Sequence, residues 1–293
     1  METGALVIHP GALGDVLQAV PALRALRAGG PVTVVGQPRL ARLLVELGVV
    51  TGACAFDGFG LEALFVDGPA PPALGGFAPI VSWFGSGDET YRRRLRALAP
   101  RTIIAAPVPD DDMPVWRHLL ASLGPLEPAP PADVGPIRLP PAVAARGGLR
   151  PALVAHPGSG GAWKRWPAER FAAVIGALRR RRPLDVLLHQ GPADAEAVQD
   201  LLARLGGDAN VLVEPELPRL AAVLAAAGAY LGSDSGVSHL AAAVGAPSVV
   251  LFPPATRQRW APWSPTAVAI EATGTDADRE RAIAELERRL TSR

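Results

Sequence analysis

A single cysteine stands in 293 residues, so no internal disulfide can form and a secreted disulfide scaffold is excluded. That residue, Cys54, lies in the apolar run "GACAF" and reads as a small buried hydrophobe. Charge of one sign is also missing. A formal net charge of +1 gives no overall attraction to nucleic acid or to an acidic membrane. No apolar run approaches the roughly 20 residues that a membrane helix requires. The opening "METGALVIHPGALGD" has neither a basic start nor a long apolar stretch, so no secretory signal is expected and a cytoplasmic location is. The five histidines, His9, His118, His156, His189 and His239, are scattered without zinc spacing, and no metal site is expected. A G-x-S-x-G nucleophile elbow is absent.

The composition present is that of a globular α/β protein: 49% hydrophobic and 19% charged, in a length that suggests two domains. Short apolar runs of strand length, "ALVIH", "VTVVG", "PIVSWF" and "RTIIAA", alternate with helical patterns in the first half. In "DVLQAVPALRALRAG", Val16, Val20, Leu23 and Leu26 share one helical face. "PRLARLLVELG" carries Pro38 at its start and Gly48 at its stop. Residues 125–150 are rich in proline and glycine and read as an extended linker. The alternation restarts with "ALVAH", then "DVLLHQ", "NVLVE", "AYLGS" and "PSVVLF" with helical patterns between them, and ends in an amphipathic helix carrying Ile283, Leu286 and Leu290. The expected organisation is an N-terminal Rossmann-like domain over 1–124, the linker over 125–150 and a C-terminal Rossmann-like domain over 151–293. The last helix is free in this reading to pack back on the first domain.

One phrase occurs twice. "ALVIHPG" at 5–11 and "ALVAHPG" at 152–158 differ at one position and sit where each half's first strand hands over to its first helix. In open α/β sheets ligands bind at such strand ends. After the first copy, Gly11 and Gly14 permit a tight turn and Asp15 follows, either as a helix N-cap or as a carboxylate poised as general base. After the second copy come Gly158, Ser159, Gly160 and Gly161, then Lys164 and Arg165 before a helix. A glycine turn, cations and a helix start together favour a phosphate. Neither loop fits the dinucleotide fingerprint or the Walker spacing. A third loop, "SDSGVSHL", offers backbone amides at 235–238 with the hydroxyls of Ser235 and Ser238. Asp234 would repel a phosphate, so it reads there as orienting the loop or contacting a neutral part of the ligand, and His239 either pins the loop or touches a ligand.

The stretches "GDVLQAVPALRAL", "HPGSGGAWKRWPAERF" and "DSGVSHLAAAVGAPSVVLF", in this order and spacing, resemble glycosyltransferase family 9, the ADP-heptose:lipopolysaccharide heptosyltransferases and their relatives. The resemblance implies a GT-B fold, α/β with two Rossmann-like domains whose parallel sheets face a central cleft. It implies inverting, metal-independent transfer of a sugar, typically heptose, from a nucleotide diphosphate, typically ADP, to a lipopolysaccharide-type or other glycan acceptor, with no cofactor. By position it makes Asp15 the general base. Ser159, Lys164, Ser235, Gly236, Val237, Ser238 and His239 become diphosphate contacts, and Gly11, Gly14, Gly158 and Asp234 support the loops. In "HQGPADAE" either Asp194 or Glu196 would serve the ribose. Arg92, Arg93 and Arg94 are candidates for an anionic or lipid-linked acceptor, against the alternative of a solvated helix face; peripheral contact with an inner membrane would follow from the former. Where the family commonly writes "FGPTDP", this chain has "FPPATRQRW", which leaves the donor sugar open. Two other readings on the same fold are a nucleotide-sugar epimerase and a catalytically weak nucleotide-sugar-binding protein.

Overall fold

The computed structural model describes residues 4–69, 71–99, 101–124 and 133–291. The chain divides into two compact units, with the boundary between Val134 and Gly135. The first contains β1 (Ala5–Ile8), α1 (Leu13–Gln18), α2 (Val20–Ala28), β2 (Val32–Gly36), α3 (Pro38–Glu46), β3 (Gly52–Ala55), β4 (Ile80–Ser82), α4 (Glu89–Leu98), β5 (Thr102–Ile104) and α5 (Val115–Ala121). The second contains α6 (Pro141–Ala144), β6 (Leu153–His156), α7 (Ala168–Arg179), β7 (Val186–Gln190), α8 (Ala195–Arg204), β8 (Asn210–Val213), α9 (Leu217–Ala226), β9 (Ala229–Ser233), α10 (Gly236–Ala243), β10 (Ser248–Phe252), α11 (Pro254–Trp260), β11 (Ala267–Glu271) and α12 (Asp276–Thr291).

Both sheets are parallel, in the orders β3-β2-β1-β4-β5 and β11-β10-β9-β6-β7-β8. Parallel strands covered by helices bury both faces, which is why they read as unbroken apolar runs. Leu6, Val7 and Ile8 of β1 and Leu153, Val154 and Ala155 of β6 are fully buried. In each unit the chain lays its first strands to one side of the opening strand and then crosses to the other. The reversals fall between β1 and β4 and between β6 and β9, and such switch points are where α/β sheets hold ligands.

The continuous helix expected after the first loop is broken. Pro21 has no N–H for the Leu17 carbonyl, and its ring crowds that turn. The Ala19 N–H donates instead to the Val16 carbonyl at 3.2 Å, which divides α1 from α2. Two strands were not anticipated. β3, "GACA", is an edge strand of small residues with alternating exposure, and Cys54 in it is half-buried against the apolar cluster of Val35 and Ile8. β11 closes the other sheet.

Of the expected linker, 125–132 lie outside the described residues. The part after Gly135 is docked on the second unit. Ile137 is buried and its N–H donates to the Ala243 carbonyl at 2.7 Å. α6 packs on α9, and a Cβ on Gly147 would sit 3.3 Å from Ala222. α12 lies on α7 of its own unit, with Ile283 and Leu286 buried. Among the described residues no helix is long and apolar enough to cross a membrane.

Candidate active site

In the first unit the loop from β1 to α1 is set by hydrogen bonds to β2. His9 N–H donates to the Val35 carbonyl at 2.9 Å, and the Gln37 amide donates to the carbonyls of Pro10 and Gly11 at 3.1 and 3.2 Å. Gln37 carries no motif and was not anticipated. Asp15 is not the N-cap. It is the third residue of α1, and its carboxylate reaches back to accept the Ala12 N–H at 2.8 Å, answering one of the unpaired amides of the helix start. It remains half-exposed. Gly14 lies inside the first turn of α1 and does not make the turn. Gly11 has a steric reason: a Cβ there would lie 2.7 Å from Asp15 Cβ, 3.1 Å from Asp15 Oδ2 and 3.0 Å from His9 Cε1.

His9 itself is buried, edge-on to Trp83 at 5.6 Å between ring centres. Trp83 begins the loop after β4, across the switch point, and its indole N–H donates to Ser122 Oγ at 3.0 Å. Burial pushes the pKa of His9 below the ordinary histidine value, while Asp15, through its backbone and its charge, counters part of that.

In the second unit three loops meet at the carboxyl ends of β6, β7 and β9. The Ser233 hydroxyl, at the end of β9, accepts the Trp166 N–H at 3.0 Å. Ser159 is buried and its hydroxyl donates to the Asp234 carbonyl at 2.6 Å, tying the first loop to the third. Lys164 leaves a 3-10 turn, Ala162–Lys164, and its ammonium stands 3.1 Å from the Asp234 carboxylate. Asp234 therefore holds the lysine by an ion pair. An ammonium has three N–H donors, and one carboxylate contact leaves others for a ligand.

The hydroxyls of the third loop are turned inward. Ser235 caps α10 by accepting the Ser238 N–H at 3.3 Å. Ser238 is fully buried and its hydroxyl donates to the Ser233 carbonyl at 2.5 Å, while its oxygen meets Tyr230 Oη at 2.9 Å. Tyr230 is also fully buried, and burial raises its phenol pKa far above the ordinary value. The expectation that Ser159 and Ser238 present hydroxyls to a phosphate is thus corrected: both protons are committed within the loops. The donors that remain are the amides of Gly236 and Val237, first and second in α10, which have no carbonyl partner within the helix and are half-exposed. His239 is buried in the first turn of α10, edge-on to Phe252 at 6.5 Å.

Asp194 and Glu196 separate cleanly. Asp194 is buried as the N-cap residue of α8, and its carboxylate accepts the Gly191 N–H at 3.1 Å. A Cβ on Gly158 would lie 2.0 Å from its Oδ1, so Gly158 exists to admit Asp194. Glu196 is exposed in the first turn of α8. Beneath these loops His156 and His189 are in contact. His156 Nδ1–H donates to the His189 carbonyl at 3.2 Å and faces His189 Nδ1 at 3.1 Å, so one proton serves both acceptors. His156 Nε2 lies 3.9 Å from Asp194 Oδ2. Burial lowers both histidines, His189 to about 3, where the neighbouring His156 adds to the effect.

Arg92, Arg93 and Arg94 do not form an open cationic cluster. Arg92 pairs with Glu89 on the same helix, Arg93 with Asp67 at 3.2 Å, and Arg94 donates to the Gly68 carbonyl at 2.6 Å. Arg93 and Arg94 brace α4 against the 67–69 segment.

Residues 132–288, more than half of the chain, match the family described as glycosyltransferase family 9 (heptosyltransferase). Lipopolysaccharide heptosyltransferase 3 of Escherichia coli (strain K12) is 33% identical over 117 residues, which cover 38% of this chain and 33% of that protein. The match thus spans a third of the length of that curated relative. The glycosyl transferase family 9 structure from Veillonella parvula DSM 2008 superposes with a TM-score of 0.79 at 18% identity, covering 100% of this chain and 98% of that one. E. coli ADP-heptose lps heptosyltransferase II gives 0.73 at 21%, covering 99% of each. E. coli heptosyltransferase WaaC, solved with ADP, gives 0.72 at 17%, covering 98% of this chain and all of that one. These likenesses establish the fold as GT-B, two Rossmann-like α/β units, and together with the sequence match they show that the chain belongs to glycosyltransferase family 9.

Proposed function

We propose that this protein is an inverting glycosyltransferase that moves a sugar, heptose in the first instance, from an ADP-linked donor to a lipopolysaccharide-type glycan acceptor. The observation that carries the reading is at the β6/β9 switch point. Lys164, held by Asp234, comes from a loop tied by Ser159 to the one that begins α10, where Gly236 and Val237 lead with unpartnered amides. A fixed cation near a helix start suits a diphosphate, and most of all the charge that develops as a nucleotide diphosphate leaves. The ADP held by WaaC supports the choice of nucleotide. Glu196, exposed where Asp194 is committed, is the better partner for the ribose.

Asp15 supplies the complementary group. Its Oδ2 is bound to Ala12 N–H, which fixes the carboxylate while leaving Oδ1 to take a proton from the acceptor hydroxyl. That oxygen then attacks the anomeric carbon from the face opposite the diphosphate, and configuration inverts. A positioned base of this kind contributes about 10²–10⁴-fold. Asp15→Asn is expected to keep ADP affinity and lose turnover by about that factor; full activity in the variant would remove Asp15 as the base. Binding of ADP, UDP and GDP by calorimetry tests the donor, and a preference for UDP or GDP over ADP would overturn it. A catalytically weak binding protein is the second reading, favoured by "PPATRQRW", which folds as α11 directly after β10 in place of the family's usual loop. It is chosen if ADP-heptose binds and no acceptor yields product.

A further inference from the structure

We infer that His9 is a positioning residue for Asp15. This rests on the reading of Asp15 as the base and assigns it a partner. His9 is 3% exposed, and neither ring nitrogen completes a well-formed hydrogen bond among the described residues, although the Asp15 backbone acts on the ring and raises its pKa. Buried imidazole nitrogens without partners are costly and call for an explanation. The charged group acting on His9 is Asp15; the other neighbours that define its surroundings, Trp83 on its edge and the Gly11 backbone, carry no charge. The two side chains border the same space, the place of a Cβ at residue 11, a point 2.7 Å from Asp15 Cβ, 3.0 Å from His9 Cε1 and 3.1 Å from Asp15 Oδ2. Glycine at 11 keeps that space open.

The second copy of the phrase repeats the packing but not the contact. His156 is again buried and Gly158 again makes room for an aspartate, Asp194, but His156 holds its proton on Nδ1, so its Nε2, 3.9 Å from Asp194 Oδ2, donates nothing to that carboxylate. In the first copy the carboxylate rests on the Ala12 N–H. The inferred contact is a hydrogen bond from one N–H of the neutral His9 ring to Asp15 Oδ2, the oxygen that also accepts the Ala12 N–H, which leaves Oδ1 for the acceptor hydroxyl. That contact holds the anionic form and fixes which oxygen faces the acceptor hydroxyl.

The test uses His9→Leu, an apolar replacement of similar size, His9→Asn, which keeps a donor, and Asp15→Asn. Transfer rate against pH, ADP affinity and melting temperature are measured for each. His9→Leu is expected to keep the melting temperature and to bind ADP within about twofold of wild type. Its kcat falls by about 10- to 100-fold, the effect of misplacing a reacting group. Its acidic limb moves to higher pH, because the carboxylate has lost a donor. His9→Asn is expected to recover part of the rate and of the shift. Wild-type kcat and an unmoved acidic limb in His9→Leu, with Asp15→Asn inactive, overturn the inference and leave the base reading intact. Wild-type turnover in Asp15→Asn overturns both. Should His9→Leu fail to fold, ¹⁵N-histidine spectra of the wild type and of Asp15→Asn decide. Movement of the His9 ring resonances supports the pairing, and unmoved resonances refute it.

Discussion

Protonating the histidine pair beneath the loops of the second unit should unlock that unit, and His189 allows the size of the effect to be worked out. Its pKa is lowered from 6.5 to about 3, first by burial and then by His156. The folded state therefore resists a proton that the unfolded chain accepts. Stability is complete above pH 6.5 and is lost as pH falls toward 3, with a slope approaching ~1.4 kcal/mol per pH unit. Integrated between pH 7 and pH 5, His189 alone contributes a loss of about 2 kcal/mol. His156 is displaced in the same direction, but the two rings share one Nδ1 proton and their losses do not simply add. His189→Gln removes this titration while leaving the His189 backbone carbonyl that His156 uses. Urea unfolding followed by tryptophan fluorescence at pH 7 and pH 5 reads the result. The stability advantage of the wild type over His189→Gln should shrink by about 2 kcal/mol on going to pH 5. A gap that stays constant would mean that His189 is as easily protonated folded as unfolded, and the burial argument would fail.

Two further outcomes are expected. Gly158→Ala drives a methyl group into the Asp194 carboxylate, which loses its place on the Gly191 N–H. The lost hydrogen bond and the displaced buried carboxylate, about 2–4 kcal/mol together, should lower the melting temperature by about 5–10 °C in calorimetry, and an unchanged melting temperature would contradict the steric reading. Arg93→Glu with Arg94→Glu breaks contacts to Asp67 and Gly68 and should cost about 1 kcal/mol or less with no change in acceptor KM; a several-fold rise in acceptor KM would return these arginines to the substrate.

The strands were legible because a parallel sheet covered by helices demands unbroken apolar runs, and "VTVVG" and "AYLGS" coincide with β2 and β9 to the residue. β3 was hidden by the opposite circumstance: an edge strand of glycine and alanine has neither apolar weight nor strong alternation. Pro21 was visible in the sequence as a helix breaker, yet the apolar periodicity through Val16, Val20 and Leu23 runs across it, because both helices bury the same side. The site was legible as loops and not as contacts. Ser159, Ser235 and Ser238 look alike in glycine-rich stretches, but what each proton meets depends on carbonyls brought close only by the sheet: Asp234 for Ser159 and Ser233 for Ser238. Asp194 and Glu196, two residues apart, differ for the same reason, since one faces Gly158 of the neighbouring strand's loop and the other faces solvent.

The repeated "HPG" shows how one local solution supports two roles. In both copies the glycine is required because an aspartate side chain stands at the place of its Cβ, through the Cβ of Asp15 in the first and the carboxylate of Asp194 in the second, and in both the preceding histidine is buried. What differs is where the aspartate comes from. Asp15 arrives from the next helical turn, so its backbone is fixed by the same short segment and its carboxylate can stay half-exposed, with one oxygen held by Ala12. Asp194 arrives from the loop after β7, and holding two loops together requires it to be buried and enclosed by His156 and Gly191. A carboxylate that ties distant segments is spent on architecture. Asp15, held through the Ala12 N–H at the start of its own helix, keeps a half-exposed carboxylate, which is the property that the proposed base requires.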